Sequence, residues 1–207
     1  MTRKTTEQTL SVKEAIESRH SIRKYDQQPI GEQDLQSIFE LVRLSPSAWN
    51  LQPWRFHVVT DEVMKDKLEE AAYGQKQVTS APVVVVVTSD MEDVLENLAD
   101  TVHPGLSPEQ KQDEIANLSA LFNGMSLEER GQWGLTQTNI AFGILMVAVQ
   151  GHGYASNPML GFDQNKVREI LGLPEHVKFA GILPFGKPDS EGYPHHRFDT
   201  NKIVTFH

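Results

Sequence analysis

Near the start of the sequence, Arg19, His20, Ser21 and Arg23 fall within "IESRHSIRKYD" (16–26). They directly follow a segment with helical spacing, where a turn releases backbone N–H groups. Two guanidiniums and a hydroxyl at this spacing can form charge-assisted, partly bidentate hydrogen bonds to a phosphate. The same residues also suit a plainer purpose, because cations just past a helix complement its carbonyl end. Spacing alone leaves both readings open. A second stretch, "SPSAWNLQPW" (45–54), breaks helical pattern with two prolines. As a loop it presents Ser47, Asn50 and Gln52 between Trp49 and Trp54, a set of donors and acceptors suited to a heteroaromatic edge between apolar walls. A turn that satisfies its own backbone uses the same residue types.

The elements that must position these residues can be read from pattern. "SVKEAIES" reads as a short helix capped by Ser11, and "GEQDLQSIFELVRLS" places Leu35, Ile38, Phe39 and Val42 on one helical face. "RFHVVT" reads as a strand, and Asp61 caps a helix through "EVMKDKLEEAA". In "PVVVVVTS" five consecutive valines show no alternation, so both faces are covered. A strand of that kind implies a layered α/β arrangement with helices above and below. Residues 91–131 are acidic and mostly helical in pattern, broken by "HPGLSP", and read as an insertion or lid. "SLEE" at Ser126 is a capping-box signal opening a long helix that ends at Gly151 or Gly153. Asp163 caps "QNKVREILGL", "VKFAGILPFG" is a third strand, and the tail "NKIVTFH" reads as extended. No linker divides the chain, so residues 1–207 read as one domain.

Composition narrows the function. Over 207 residues the 28 acidic side chains outnumber the 19 basic ones, for a net charge of −9. That argues against a general nucleic-acid binder, which needs a basic face. With no cysteine, thiolate nucleophiles, disulfides and cysteine-ligated clusters are excluded, and a reducing compartment fits. "MTRKTTEQTL" lacks the apolar core of a signal peptide. The most apolar run, Ile140 to Val149, falls short of the roughly 20 residues that cross a bilayer. A cytoplasmic protein with no membrane partner is expected. His103, His152, His176 and His207 lack metal-ligand spacing with acids, and His195 and His196, adjacent on an extended segment, point to opposite faces. No metal is expected. The glycines of "GHGYASNPMLG" lack the strand and helix of a dinucleotide fingerprint. Gly134 and Gly143 on the long apolar helix would let another backbone approach, as a partner helix requires.

Taken in order, "RHSIRKY", "SPSAWNLQPW", the buried valine strand, the apolar helix carrying Gln137, "NPMLGFD" and "ILPFGKP" with a downstream Arg197 resemble the FMN-dependent nitroreductase family over nearly the whole chain. The resemblance implies an α+β fold, with a central, mostly antiparallel sheet flanked by helices, in a domain-swapped homodimer. It implies FMN as cofactor, NADH or NADPH as cosubstrate, and a quinone or nitroaromatic acceptor served by a ping-pong hydride transfer. Arg19, His20, Ser21 and Arg23 match the segment holding the FMN phosphate, ribityl chain and pyrimidine edge. Pro46, Ser47, Ala48 and Asn50 match a loop that comes from the partner subunit. Lys76 matches a cation beside flavin N1, Gln137 a polar position near the flavin, and Pro158, Met159, Leu160 and Gly161 a loop passing flavin N5. Gly186, His195 and Arg197 complete the implied cofactor-binding set, Arg197 as a second phosphate ligand. No protein side chain is implied as an acid or base, since flavin N5 carries the hydride; Lys76 would stabilise charge at N1. Two departures stand out. Leu160 replaces a glutamate found in some relatives, and His195 replaces a lysine. A specialised flavin dehydrogenase or dehalogenase-like relative, or a protein that only stores FMN, are the alternative readings.

Overall fold

The computed structural model describes residues 9–207; most of the stretch judged for a signal peptide lies outside the described residues. Helix α1 (Val12–Ser18) opens on a capping box in which Ser11 and Glu14 exchange hydrogen bonds. It is followed by α2 (Glu32–Val42), which buries Ile38 and Val42. Strand β1 (Trp54–Val59) leads to α3 (Glu62–Ala71), where the Asp61 carboxylate accepts from Met64 N–H as its spacing predicts. The short α4 (Gln77–Ser80) precedes β2 (Val83–Ser89), every residue of which is buried.

β2 is the axis of the molecule. The sheet runs β1-β2-β4-β3, all antiparallel, once β3 (Ala155–Ser156) and β4 (Lys178–Gly186) are added. Val84 and Val86 face a core with Leu68 and Ala71 of α3 and Val167 of α9 (Gln164–Leu171). Val83, Val85 and Val87 face Ile38 and Val42 of α2 and Phe142 and Leu145 of the long helix α8 (Leu127–Gly151). With side chains alternating between two apolar layers, each valine is buried at about 1.5–3 kcal/mol apiece.

Between β2 and α8 lie α5 (Met91–Glu96), α6 (Leu98–Thr101) and α7 (Pro108–Asn123). They do not share the main core. Met91, Val94, Leu98, Leu118 and Phe122 form a separate apolar cluster with Leu51 and the partly buried Trp133. Ser107 and Ser126 each close a capping box, on Gln110 and Glu129, so both helices start where their sequences indicate. Among the described residues no helix is long and apolar enough to cross a membrane.

Three sequence expectations need correction. The two-residue β3 escapes any periodicity argument, so "VKFAGILPFG" is the fourth strand. The tail is not wholly extended: α10 (Thr200–Ile203) forms where Asp199 and Lys202 flank a single turn, Lys202 N–H donating to Asp199 O at 2.9 Å. The space at Gly134 is taken by this chain's own Met91 and Ser89, whose Cγ and Oγ would lie 2.3 Å and 2.8 Å from an added Cβ.

Candidate functional site

The basic stretch is held against the sheet edge before it forms a site. α1 ends at Arg19, whose backbone turns extended. Ser21 bridges to Ser156, Ile22 N–H donates to Ser156 O at 3.2 Å, and the Tyr25 hydroxyl donates to Ile22 O at 2.5 Å with Pro184 O at 3.1 Å. Across this strip lies the tail. Arg19, His20, Ser21 and Arg23 on one side, and Tyr193, Pro194, His195 and Arg197 on the other, line a cleft of about 200 Å³. Two hydrogen bonds fasten the halves: His20 Nδ1 to Tyr193 O and His195 Nε2 to Arg19 O, both 2.8 Å. A carbonyl only accepts, so both nitrogens carry protons. The two imidazoles lie 4.4 Å apart between centroids. The crossing needs Gly192, where a Cβ would stand 2.5 Å from that of His20.

The electrostatics of the cleft are one-sided. Arg19 Nη1 is buried without a hydrogen-bond partner. Burial, and then the positive field of Arg197, depress the Arg19 guanidinium's affinity for its proton. Arg197 Nη1 donates to His196 O at 2.8 Å. Among the described residues no carboxylate pairs with Arg19, Arg23 or Arg197.

The second predicted cluster lies elsewhere. The 46–50 loop does not line the cleft; within this chain its bonds run to α6 and α8. Asn50 Nδ2 donates to Thr101 O at 3.0 Å, and Ala48 N–H donates to Gln137 Oε1 at 3.0 Å. Ser47 Oγ accepts from Gln52 N–H at 3.0 Å, and Gln52 Nε2 donates to Asn50 Oδ1 at 3.0 Å. The loop therefore does satisfy much of its own backbone, with Pro46 exposed at its entry. It brings Gln137 to Ala48, a pairing no sequence spacing announces.

Lys76 stands at the start of α4 with its ammonium on Glu69 Oε1 at 2.6 Å. That hydrogen bond holds the Glu69 carboxyl below the usual range and raises the Lys76 ammonium's pKa. Its neighbour Gln75 donates to Gly161 O at 2.7 Å, placing α4 beside the 158–161 loop. There Pro158 is half-buried and Met159 is buried, exchanging backbone bonds with Ile182 at 2.8 and 3.0 Å, while Leu160 projects outward, 75% exposed. Gln27 donates to Ser80 O at 2.8 Å, tying α4 in turn to the basic strip. Gly186 is buried, and an added Cβ would lie 2.6 Å from Pro82 Cδ, so packing accounts for it. Sequence reasoning missed Gly192, Tyr193 and Pro194; the only signal was the Gly-Tyr-Pro turn ahead of the two histidines.

This arrangement has relatives. The model of the Nitroreductase family matches residues 16–187. A Thermus thermophilus protein named NADH dehydrogenase is 42% identical over 195 residues, 94% of this chain and 95% of its own. YdgI of Bacillus subtilis, a candidate NAD(P)H nitroreductase, is 33% identical over 198 residues, 92% of this chain and 95% of that protein. The crystal structure of a candidate nitroreductase from Exiguobacterium sibiricum in complex with FMN superposes with a TM-score of 0.86 at 31% identity, over 97% of this chain and 99% of that one. The matched span takes in the basic strip, the 46–50 loop, α8 and the whole sheet, and on it the chain belongs to the Nitroreductase family.

Proposed function

We propose that the protein is an FMN-dependent oxidoreductase that takes electrons from NADH or NADPH and delivers them, by a ping-pong route, to nitroaromatics or quinones. The observation that carries this reading is the unpaired charge in the cleft. In a chain with 28 acidic residues, three arginines cluster with no carboxylate among them, and one buries an unsatisfied N–H. Such a cluster destabilises itself unless an anion of fixed position offsets it, and a phosphate monoester fits both the donors and the geometry. The FMN bound by the Exiguobacterium relative supplies a ligand with that terminus.

When bound, FMN supplies the two-electron chemistry; the protein binds, orients and tunes. Arg19, Arg23 and Arg197 would hold the phosphate, with Ser21, His20 and His195 along the ribityl chain. Lys76, adjustable on its exposed stem, would exchange Glu69 for the pyrimidine edge. Pro158 and Gly161 would offer backbone groups, with Met159 fixing the loop through its two bonds to Ile182, Leu160 offering no carboxylate, and Gly186 letting the end of β4 pack on Pro82. Pro46, Ser47, Ala48 and Asn50 would come from a second copy, each loop braced by its own Gln137. The exposed Val12, Ile16, Leu41, Leu44 and Ile140 give a homodimer apolar surface to bury. The chain would act as one domain, with residues 91–131 beside the acceptor.

A visible spectrum of the purified protein, followed by anaerobic NADH, tests the reading. Flavin absorbance that bleaches, and returns on adding menadione or a nitroaromatic, is the expected result. Colourless protein that takes up no added FMN overturns it.

A further inference from the structure

Three non-glycine residues of one short loop adopt left-handed backbone: Trp49, Asn50 and Gln52, at φ 51°, 54° and 48°. Asparagine tolerates this; tryptophan and glutamine do so only where surroundings hold them. The holding contacts at Trp49 are aromatic. Its indole stacks on Trp133 of α8 at 6.0 Å between centroids and 28° between planes, and meets Phe122 of α7 edge-on at 6.3 Å. Phe122 and Trp133 meet each other at 5.0 Å and 71°. Phe122 is wholly buried in the apolar cluster of α5–α7, and Leu51, two residues beyond Trp49, enters the same cluster. Three rings from three elements thus close on one strained position. The indole's remaining face, with the residue 49% exposed, borders an open cleft along α7.

We propose that Trp49 is a positioning residue: the Trp133–Phe122 clamp on its indole holds Ser47, Ala48 and Asn50 in the conformation that meets the cofactor, and couples α7 to occupancy of that site. The inference rests on the flavin reading of the 46–50 loop. Without the ring, the left-handed backbone at position 49 loses its holder and relaxes. Asn50, next to it, and Ser47, two residues before it, then lose their orientation. Coupling works both ways, so a cofactor that fixes the loop also steadies α7.

Apoprotein of the wild type, Trp49→Ala, Trp49→Phe, Trp133→Leu, Asn50→Ala and the Trp49→Ala/Asn50→Ala double variant is titrated with FMN by fluorescence. Two aromatic pairs lost together weaken binding roughly tenfold in Trp49→Ala. Trp133→Leu, which loosens the clamp from the other side, moves the same way, and Trp49→Phe retains affinity within about threefold. Because Trp49 acts through Asn50, the double variant binds no more weakly than the weaker single variant. Hydrogen exchange over residues 46–53 is faster in Trp49→Ala with β2 unchanged, and FMN slows exchange in α7 of the wild type but not of that variant. FMN affinity within twofold of wild type in both Trp49→Ala and Trp133→Leu, or additive losses in the double variant, overturns the proposal. If the wild type binds no FMN, the flavin reading fails separately. Exchange over 46–53 then judges the clamp alone: faster in Trp49→Ala but not Trp49→Phe supports it, and no difference overturns it.

Discussion

Arg19→Met separates two explanations of the basic strip because they predict opposite signs. α1 carries no basic residue in its last turn, so Arg19 at its C-cap is the first cation past its carbonyl end. If Arg19 serves the helix, its loss costs the apoprotein about 0.3–1 kcal/mol. If it serves an anion, the apoprotein loses a desolvated guanidinium that has a partnerless Nη1 and Arg197 nearby, while methionine keeps the apolar packing of the stem. Stability then stays level or rises. The ligand side moves the other way. A hydrogen bond to a charged group is worth about 1.5–3 kcal/mol, so losing one weakens FMN binding roughly tenfold to a hundredfold. Riboflavin has the ring and ribityl chain without the phosphate, and its affinity should change by less than about threefold. The assay is fluorescence titration of apoprotein with both ligands, with urea melts of the two apoproteins. Equal loss for FMN and riboflavin, or a less stable apoprotein whose FMN affinity is unchanged, would refute the anion argument and return Arg19 to the helix end.

Gly186→Ala forces a methyl to within 2.6 Å of the rigid Pro82 ring and 3.3 Å of Tyr25 Cβ, so it should cost about 1–3 kcal/mol in urea unfolding; a cost near zero would show that Pro82 can yield. Glu92 accepts from Arg130 Nε and Nη2 at 2.5 and 2.8 Å, and this pairing holds its carboxyl below the usual carboxylate range. A depressed native pKa gives stability that is fully present above the unfolded pKa and lost as pH falls through the native one. Glu92→Gln should therefore be about 1–2 kcal/mol less stable at neutral pH and level with the wild type in acid; a gap independent of pH would contradict this.

What the sequence discloses follows from how local each determinant is. The valine run reports two-sided burial because its five side chains alternate between two cores, one with α3 and α9 and one with α2 and α8. Ser11, Asp61, Ser126 and Asp163 announce helix starts because the capping bond spans only a few residues. The basic strip is likewise contiguous. Its other wall was only partly legible. Arg197 and His195 came through family resemblance, whereas Gly192 and Tyr193 join the cleft by bonds to backbone carbonyls or by close packing, which leave no pattern in residue type. The aromatic clamp is hidden for the same reason. Trp49, Phe122 and Trp133 sit on three elements, and nothing in their spacing tells a loop tryptophan that packs from one that faces a ligand.

The loop at 46–50 shows that the two readings open from its sequence do not exclude each other. A polar group that bonds its own chain still keeps whatever capacity that bond leaves over. Ser47 Oγ accepts from Gln52 N–H, and no described group accepts the hydroxyl proton. His20 and His195 each give one nitrogen to a carbonyl and keep the other. Arg19 keeps Nη1, and the Ser156 hydroxyl, behind Ser21, is buried without a partner. Internal bonds fix where these atoms stand, and the unused donors and lone pairs decide what they can receive. At the cleft that remainder consists of guanidinium N–H groups, which only donate, and of the second nitrogen of each imidazole, which accepts because the first carries the proton, with no carboxylate among the lining residues. The internal bonds thus orient guanidinium donors that an anion can satisfy and a cation cannot, beside ring nitrogens placed to accept from a hydroxyl.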